Sequence, residues 1–241
     1  MLAGGVYAAM VVAAGVFEAP IDADPHTLRW GGDRSGGGPY IYTDKNGDLA
    51  GFETELASYL ADELGLSDRF VQGPWDKLPD RLTRGDIDIV LNGYEWTPER
   101  ESKWASTIPY YIYRLQLLAR KDDDTIHSWD DLRSQPDGRP RRIGVLSGSA
   151  AQRYVAKTFG GDVELLAYTE GVTSAMRLVE QAQLDATVQD YPTAVFYAQK
   201  FPALHAVGET QVYVSRGAGF WGPPMRLGAP PEIAEITLTR G

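Results

Sequence analysis

The chain predicts an α/β protein made of two open-sheet modules in series, and three observations carry that reading. Strand-like and helix-like patterns alternate from about residue 27 onward, the pattern of sheets flanked by helices. A strand–turn–helix occurs twice, in "GDIDIVLNGYEWTPER" and in "RRIGVLSGSAAQRYVAKTFG". Between them lies the acidic, turn-rich "KDDDTIHSWDDL", which reads as surface loop.

The elements follow in chain order. Leu2–Phe17 is an apolar, small-residue-rich stretch, shorter than the ~20 residues of a membrane span. It matches the apolar region of a signal peptide, with Ala13-Ala14-Gly15 or Phe17-Glu18-Ala19 before a cleavage site. "GGDRSGGG" (residues 31–38) fits no phosphate-binding motif and reads as a flexible or close-approach loop. "DKNGD" is a hairpin turn; it lacks the later ligands of a calcium loop. "GFETELASYLADELG" places Phe52, Leu56, Tyr59, Leu60 and Leu64 on one helical face and stops at Gly65. "WDKLPDRLTRG" is a short helix leading to a buried strand that ends at Asn92-Gly93.

In the second module Ile143, Val145 and Leu146 form a strand, Ser147–Ser149 a turn and Ala150–Phe159 a helix. A helix over residues 171–181, the strand "LDATVQD" and the helical "YPTAVFYAQK" complete it. The end, "SRGAGFWGPPMRLGAPPEIAEITLTRG", is Gly- and Pro-rich without helix or strand period and reads as loop.

Composition narrows the function. The 241 residues are 43% hydrophobic and 23% charged, as in ordinary globular domains that bury roughly 70–75% of their unfolded surface. A net charge of -10 and a pI near 4.8 disfavour nucleic acid and anionic membranes as partners. Cysteine is absent, so disulfides, thiolate metal sites and a cysteine nucleophile are excluded. His26, His127 and His205 lie far apart without metal-ligand spacing and read as surface or loop residues. No cofactor or metal is expected.

One arginine poses a question. Thr97 reads as an N-cap and Pro98 as the first helical residue, which puts Arg100 in the first turn. A cation there is unfavourable by about 0.3–1 kcal/mol. Either an anion shared with the free backbone amides compensates, or Arg100 is solvated and paired with Glu99 or Glu101. "LSGSAAQ" likewise suits an anion site or a cap by Ser147 or Ser149, Asp190 a binding group or an N-cap, and Trp75 the core or a stacking platform. Taken together, Arg100 and two helix N-termini suit a carboxylate, Asp190 an ammonium, and Trp75 an apolar or planar side chain. That is the polarity of a free α-amino acid.

From Trp30 to Tyr197 the sequence resembles the polar amino-acid-binding proteins of ABC transporters. The resemblance is carried by "GGPYIYTDKNGDLAGFETELASYLADELG", "WDKLPDRLTRGDIDIVLNGYEWTPERESKWASTIPYY", "DDLRS", "IGVLSGSAAQRY" and "LDATVQDYPTAVFY". It implies a two-lobed, periplasmic-binding-protein-like α/β fold of type II, with the ligand cleft between lobes. The boundaries expected are residues 1–20 leader, 27–113 lobe 1, 114–210 lobe 2, and 211–241 the return crossing with an atypical, truncated tail. By the resemblance Arg100 grips the ligand α-carboxylate with backbone amides near Ser149 and Ala150. Asp190 takes the α-ammonium with the Gly93 carbonyl and the side chain of Glu95, and Trp75 stacks on the ligand.

Three positions depart from the pattern. Gly37 stands near a usual aromatic, Glu95 replaces a usual Ser or Thr, and Ala150 offers only its backbone. The function implied is non-enzymatic: a monomeric, exported or membrane-tethered receptor that presents an amino acid, glutamine or a cationic one first, to an ABC permease. Two alternatives share the fold, a cyclohexadienyl-dehydratase-like enzyme with Glu95 as its one candidate acid, and the ligand-sensing domain of a larger receptor.

Overall fold

The computed structural model describes residues 6–8, 11–12 and 24–208, save 36, 96 and 135. Two five-stranded sheets dominate it. Strands β1 (Val6–Ala8) and β2 (Val11–Val12) come from the N-terminal segment, followed by β3 (Thr27–Gly32). The short hairpin β4 (Tyr42–Thr43) and β5 (Leu49–Ala50) then leads into helix α1 (Phe52–Leu64) and β6 (Ser67–Gln72). A 3₁₀ turn at Trp75–Lys77 runs into α2 (Leu78–Thr83) and β7 (Ile89–Val90). Helix α3 (Pro98–Glu101), β8 (Ala105–Ser106) and β9 (Tyr111–Tyr113) end the first half.

The second half begins with β10 (Leu115–Arg120), then β11 (Arg141–Leu146), α4 (Ala150–Phe159) and β12 (Val163–Tyr168). Helix α5 (Val172–Glu180), β13 (Ala186–Asp190), α6 (Tyr191–Tyr197) and β14 (Leu204–Val207) complete the described chain. No described helix is long and apolar enough to cross a membrane.

The two sheets repeat one plan. The first runs β6-β3-β7-β2-β8 and the second β12-β11-β13-β10-β14. In each, three parallel strands come first: β3 pairs β6 and β7, and β11 pairs β12 and β13. A fourth strand then runs antiparallel, β2 against β7 and β10 against β13. The central strands of each sheet are the most buried, whereas the edge strand β6 is polar and exposed at its start. Trp30, Ile41, Leu91, Ala57 and Ala61 form one core of the first sheet, and Leu117, Ile143, Val145, Val155 and Val188 one core of the second.

Most expected elements appear with nearly the expected bounds. The "DKNGD" turn joins β4 to β5, with the Asp44 carboxylate accepting from the amides of Asn46 and Asp48 at 2.8 and 2.9 Å. Gly65 ends α1 in the left-handed conformation, at φ 68°. The buried face of α1 is rotated from the expected one. Glu53, Ala57 and Ala61 are buried, Phe52, Leu56 and Leu60 pack beside them, and Leu64 is 63% exposed. Two alanines allow close approach to the sheet, and Glu53 is drawn inward by the hydrogen bonds described below. His205, read as a surface or loop residue, lies half-buried in β14.

The N-terminal segment also departs from expectation. β1 pairs with β9, Val6 opposite Tyr113, and β2 sits between β7 and β8, Val11 opposite Val90 and Ser106. Part of the stretch read as a leader therefore builds the first sheet, in the place that mirrors β10. Two adjacent valines of high β-propensity, Val11 and Val12, suit that position as well as they suit an apolar leader, so composition could not tell the two apart. The expected return crossing and tail, residues 211–241, lie outside the described residues.

A chain lacking residues 1–20 should leave β7 and β8 without their shared neighbour. A thermal unfolding midpoint clearly below that of the full chain is expected, measured by circular dichroism. An unchanged midpoint would mean that these residues act only as a leader.

Candidate ligand-binding cleft

The site lies where the carboxyl ends of the parallel strands of both sheets face each other, the usual ligand position in open α/β sheets. β3 delivers Asp33 and the loop to Tyr40, β7 delivers Asn92, Gly93 and Glu95, and Trp75 follows β6. From the other sheet β11 delivers Ser149 and Ala150, and β13 delivers Asp190. Together with Thr193 and Val172, most of these line one cavity of about 40 Å³, space for a few water molecules at most.

Thr97 caps α3 as expected, accepting from the Arg100 amide at 3.2 Å. Arg100 is paired with neither Glu99 nor Glu101. Its guanidinium lies over the rings of Trp75 and Tyr94, at 5.3 and 4.9 Å from their centroids. One nitrogen donates to the Glu95 carboxylate and, at 2.9 Å, to the Glu95 carbonyl; another donates to the Gly148 carbonyl at 3.2 Å. The anion that offsets its position in the first turn is thus the neighbouring Glu95.

Glu95 is 4% exposed. Besides Arg100 it accepts from the Ala150 amide at 2.7 Å and from the Tyr113 hydroxyl at 3.4 Å, and Arg153 stands 3.4 Å away. Ala150 offers only its backbone, as read from the sequence, and that amide is the first of helix α4. Ser149 serves as the N-cap of α4: its hydroxyl accepts from the Gln152 amide at 3.2 Å and donates to the Leu146 carbonyl at 2.7 Å. Of the two readings of "LSGSAAQ", the cap describes Ser149, whereas the anion site describes the Ala150 amide.

Trp75 is buried and stacked on Tyr94, with 4.3 Å between centroids and 10° between planes. Its indole donates to the Asn92 carbonyl at 2.9 Å. It is both core and cavity wall. Gly93, at φ 66°, donates its amide to Glu53 at 2.8 Å, and its carbonyl accepts from the Tyr113 hydroxyl at 3.4 Å. A side chain on Gly37 would meet the Asp33 and Ile41 carbonyl oxygens at 2.4 and 2.6 Å, so an aromatic has no room there. Tyr40, from "GGPYIY", lines the cavity instead.

Asp190 makes no cap bond to α6. Its carboxylate faces the Tyr40 hydroxyl at 3.4 Å, and no cation pairs with it among the described residues. Burial between the sheets, followed by the nearby Glu95 charge, pushes its carboxyl well above the usual carboxylate range. A part-buried carboxylate without a cation beside a cavity is chemically suited to positive charge.

Sequence reasoning missed four residues. Asp33, in the glycine-rich run, is buried and bonded to the Gln72 amide group and the Ser35 and Trp75 backbone amides. Tyr40, Tyr113 and Arg153 border the site from three separate elements. Only Arg153 carried a usable signal, lying three residues after Ala150 on the same helix.

Comparisons place the chain among known proteins. A sequence model of the bacterial extracellular solute-binding proteins, family 3, matches residues 29–220. The chain belongs to this family. Among its relatives is a probable amino-acid ABC transporter-binding protein of Haemophilus influenzae, 26% identical over 68% of this chain and 60% of that protein. Another is an arginine-binding periplasmic protein of Mannheimia haemolytica, 25% identical over 71% of this chain and 66% of that one. The match thus spans about three fifths to two thirds of these relatives' lengths.

Among solved structures, an ancestral amino acid-binding protein described as a precursor of cyclohexadienyl dehydratase superposes with a TM-score of 0.68. It is 35% identical, covering 77% of this chain and 78% of that one. An ancestral arginine-binding protein, solved bound to arginine, gives a TM-score of 0.70 at 29% identity, covering 77% and 80%. This family 3 solute-binding protein therefore has the type II, two-lobed α/β fold that the sequence implied.

Glu53 holds the cleft from behind. It accepts from the Gly93 amide and the Tyr110 hydroxyl, its other oxygen is buried without a partner, and burial raises its pKa to about 7. Its folded-state pKa lies above the ordinary 4.5, so the folded protein holds the proton that the unfolded chain releases. The contribution of Glu53 to stability is fully present below about pH 4.5 and is lost as pH rises through about 7. Glu53→Gln keeps the accepting oxygen and places its amide nitrogen where the unpartnered oxygen lies. Thermal midpoints taken from pH 5 to 8, a window spanning that pKa, should decline less for Glu53→Gln than for wild type. Parallel profiles would contradict a protonated Glu53.

Proposed function

We propose that this protein is an extracytoplasmic receptor for a free amino acid, cationic or glutamine-like, which it captures between its two lobes and presents to an ABC-type permease. It acts by binding, as a monomer, and performs no chemistry. The observation that carries this reading is Asp190, a part-buried carboxylate without a cation among the described residues, lining the same cavity as Glu95, which a guanidinium and a helix N-terminal amide hold. Such a carboxylate suits an α-ammonium, and such donors suit an α-carboxylate. Asp33 and Glu95 make the surroundings acidic, which disfavours a ligand with a second carboxylate.

The relatives support the ligand class. Their names give amino acids, arginine and histidine among them, and the ancestral arginine-binding protein has been solved with arginine and with glutamine. In this reading residues 27–113 form lobe 1 and 114–210 lobe 2, hinged at the crossing from β9 to β10. Trp75, stacked on Tyr94, forms an apolar wall for the ligand side chain, and the Gly93 carbonyl lies within reach of an ammonium.

A thermal-shift screen of the twenty amino acids tests the class. Arginine, lysine, histidine or glutamine should stabilise the protein, since a ligand at 100 times its Kd adds about 2.7 kcal/mol. Stabilisation by glutamate or aspartate alone would overturn it.

The ammonium subsite has its own signature. Pairing with a cation favours ionised Asp190, so binding should release protons and tighten as pH rises toward the raised pKa of the free protein. Titration calorimetry in buffers of different ionisation heat should show that release. Asp190→Asn should lose both the release and about a hundredfold in affinity, by leaving the ammonium unpaired. Binding by Asp190→Asn within threefold of wild type would assign the ammonium elsewhere.

A further inference from the structure

The donors that suit a ligand carboxylate are already engaged. Glu95, carried by the chain after β7 in the first lobe, places one oxygen on Arg100 and 3.4 Å from Arg153, and the other 2.7 Å from the Ala150 amide. Arg153 and Ala150 belong to α4, in the second lobe. The Glu95 carboxylate is therefore a bridge between lobes as well as an occupant of the clamp. Its side chain is 4% exposed, so the bridge is shielded from solvent and little weakened by salt.

We infer that Glu95 is a built-in substitute for the ligand carboxylate, an intramolecular latch that holds the lobes together and must be displaced before a ligand carboxylate can reach Arg100 and the Ala150 amide. The inference rests on the receptor reading for the identity of the displacing group, and on geometry alone for the latch.

Two physical arguments make displacement necessary. Two carboxylates do not share one small set of donors, because like charges at close range repel strongly. The Glu95 carboxylate already occupies the position between the Arg100 guanidinium and the Ala150 amide. A ligand carboxylate can take the place only when the Glu95 side chain rotates out. Selection follows from the same exchange: a ligand gains from its carboxylate only the difference between its own contacts and those of Glu95. Its cationic end, facing Asp190, then decides affinity.

The test uses acetate, which carries the carboxylate without an amino acid. Glu95→Ala frees Arg100 and the Ala150 amide and leaves a space of carboxylate size. Acetate at tens of millimolar should raise the thermal midpoint of Glu95→Ala, while chloride at equal ionic strength should not. Wild type should show no acetate-specific rise, and neither should the double variant Glu95→Ala/Arg100→Ala. No acetate effect on Glu95→Ala, or an equal effect on wild type, would overturn the latch.

Glu95→Gln, of the same shape but uncharged, covers the case in which the alanine variant does not fold. Small-angle scattering without added solute should show a larger radius of gyration for Glu95→Gln than for wild type, because the charged bridge is gone. An unchanged radius would overturn the latch. Both measurements are independent of the amino-acid screen. An acetate response without amino-acid stabilisation would keep the latch and reject the ligand class, and the opposite result would do the reverse.

Discussion

The cleft is organised around one buried carboxylate. Glu95 gathers the Arg100 and Arg153 guanidinium groups, the Ala150 amide and the Tyr113 hydroxyl, and these come from α3, α4 and β9. Each donor is otherwise costly to bury: a guanidinium without an anion, or the first amide of a helix without an acceptor, carries its full desolvation penalty. Satisfying them together fixes the distance between the lobes at the mouth of the site. The Trp75–Tyr94 stack then gives the Arg100 guanidinium a flat surface.

Other contacts across the cleft reinforce that alignment. The Gly38 amide donates to the Tyr197 hydroxyl at 3.2 Å, and Tyr42 packs on Phe196 with 4.7 Å between ring centroids. Tyr40 reaches Asp190 from the other lobe. These contacts are neutral or weakly polar, so they tolerate a rotation that breaks and remakes them. A buried charged bridge is less tolerant, since separating its partners exposes or strands charge. The rigid parts lie behind the cleft, where Glu53 ties α1 to the Gly93 turn and the parallel strands pack under their helices. Hinge motion in a two-lobed fold needs this division between firm cores and a site assembled from strand ends.

The plan shared by the two sheets gives that site its symmetry. In each lobe three parallel strands aim their carboxyl ends at the cleft, and a fourth, antiparallel strand joins them to the edge strand, β8 or β14. In the second lobe β10 fills that place directly after the crossing. In the first, β2 from the N-terminal segment fills it. Both lobes thus present turns and helix starts to the cleft, the Gly93 turn after β7 in one and the start of α4 at Ala150 in the other.

Much of this was legible in the residues. Period and punctuation marked the strand ending before Asn92-Gly93, the Thr97 cap with Pro98, the 150–159 helix and the strand ending at Asp190, because each depends on its own neighbours in sequence. Arg100 also stood out, since a cation in a first helical turn asks for an anion. Which anion answers could not be read, for Glu95, Glu99 and Glu101 are all near in sequence and differ only in where the backbone aims them. Tyr40, Tyr113 and Asp33 escaped notice because their roles come from neighbours tens of residues away. The rotated face of α1 and the placement of β2 have the same origin. Local sequence determined the elements and their caps; packing decided which side chains meet, because burial energies are settled between elements and not within them.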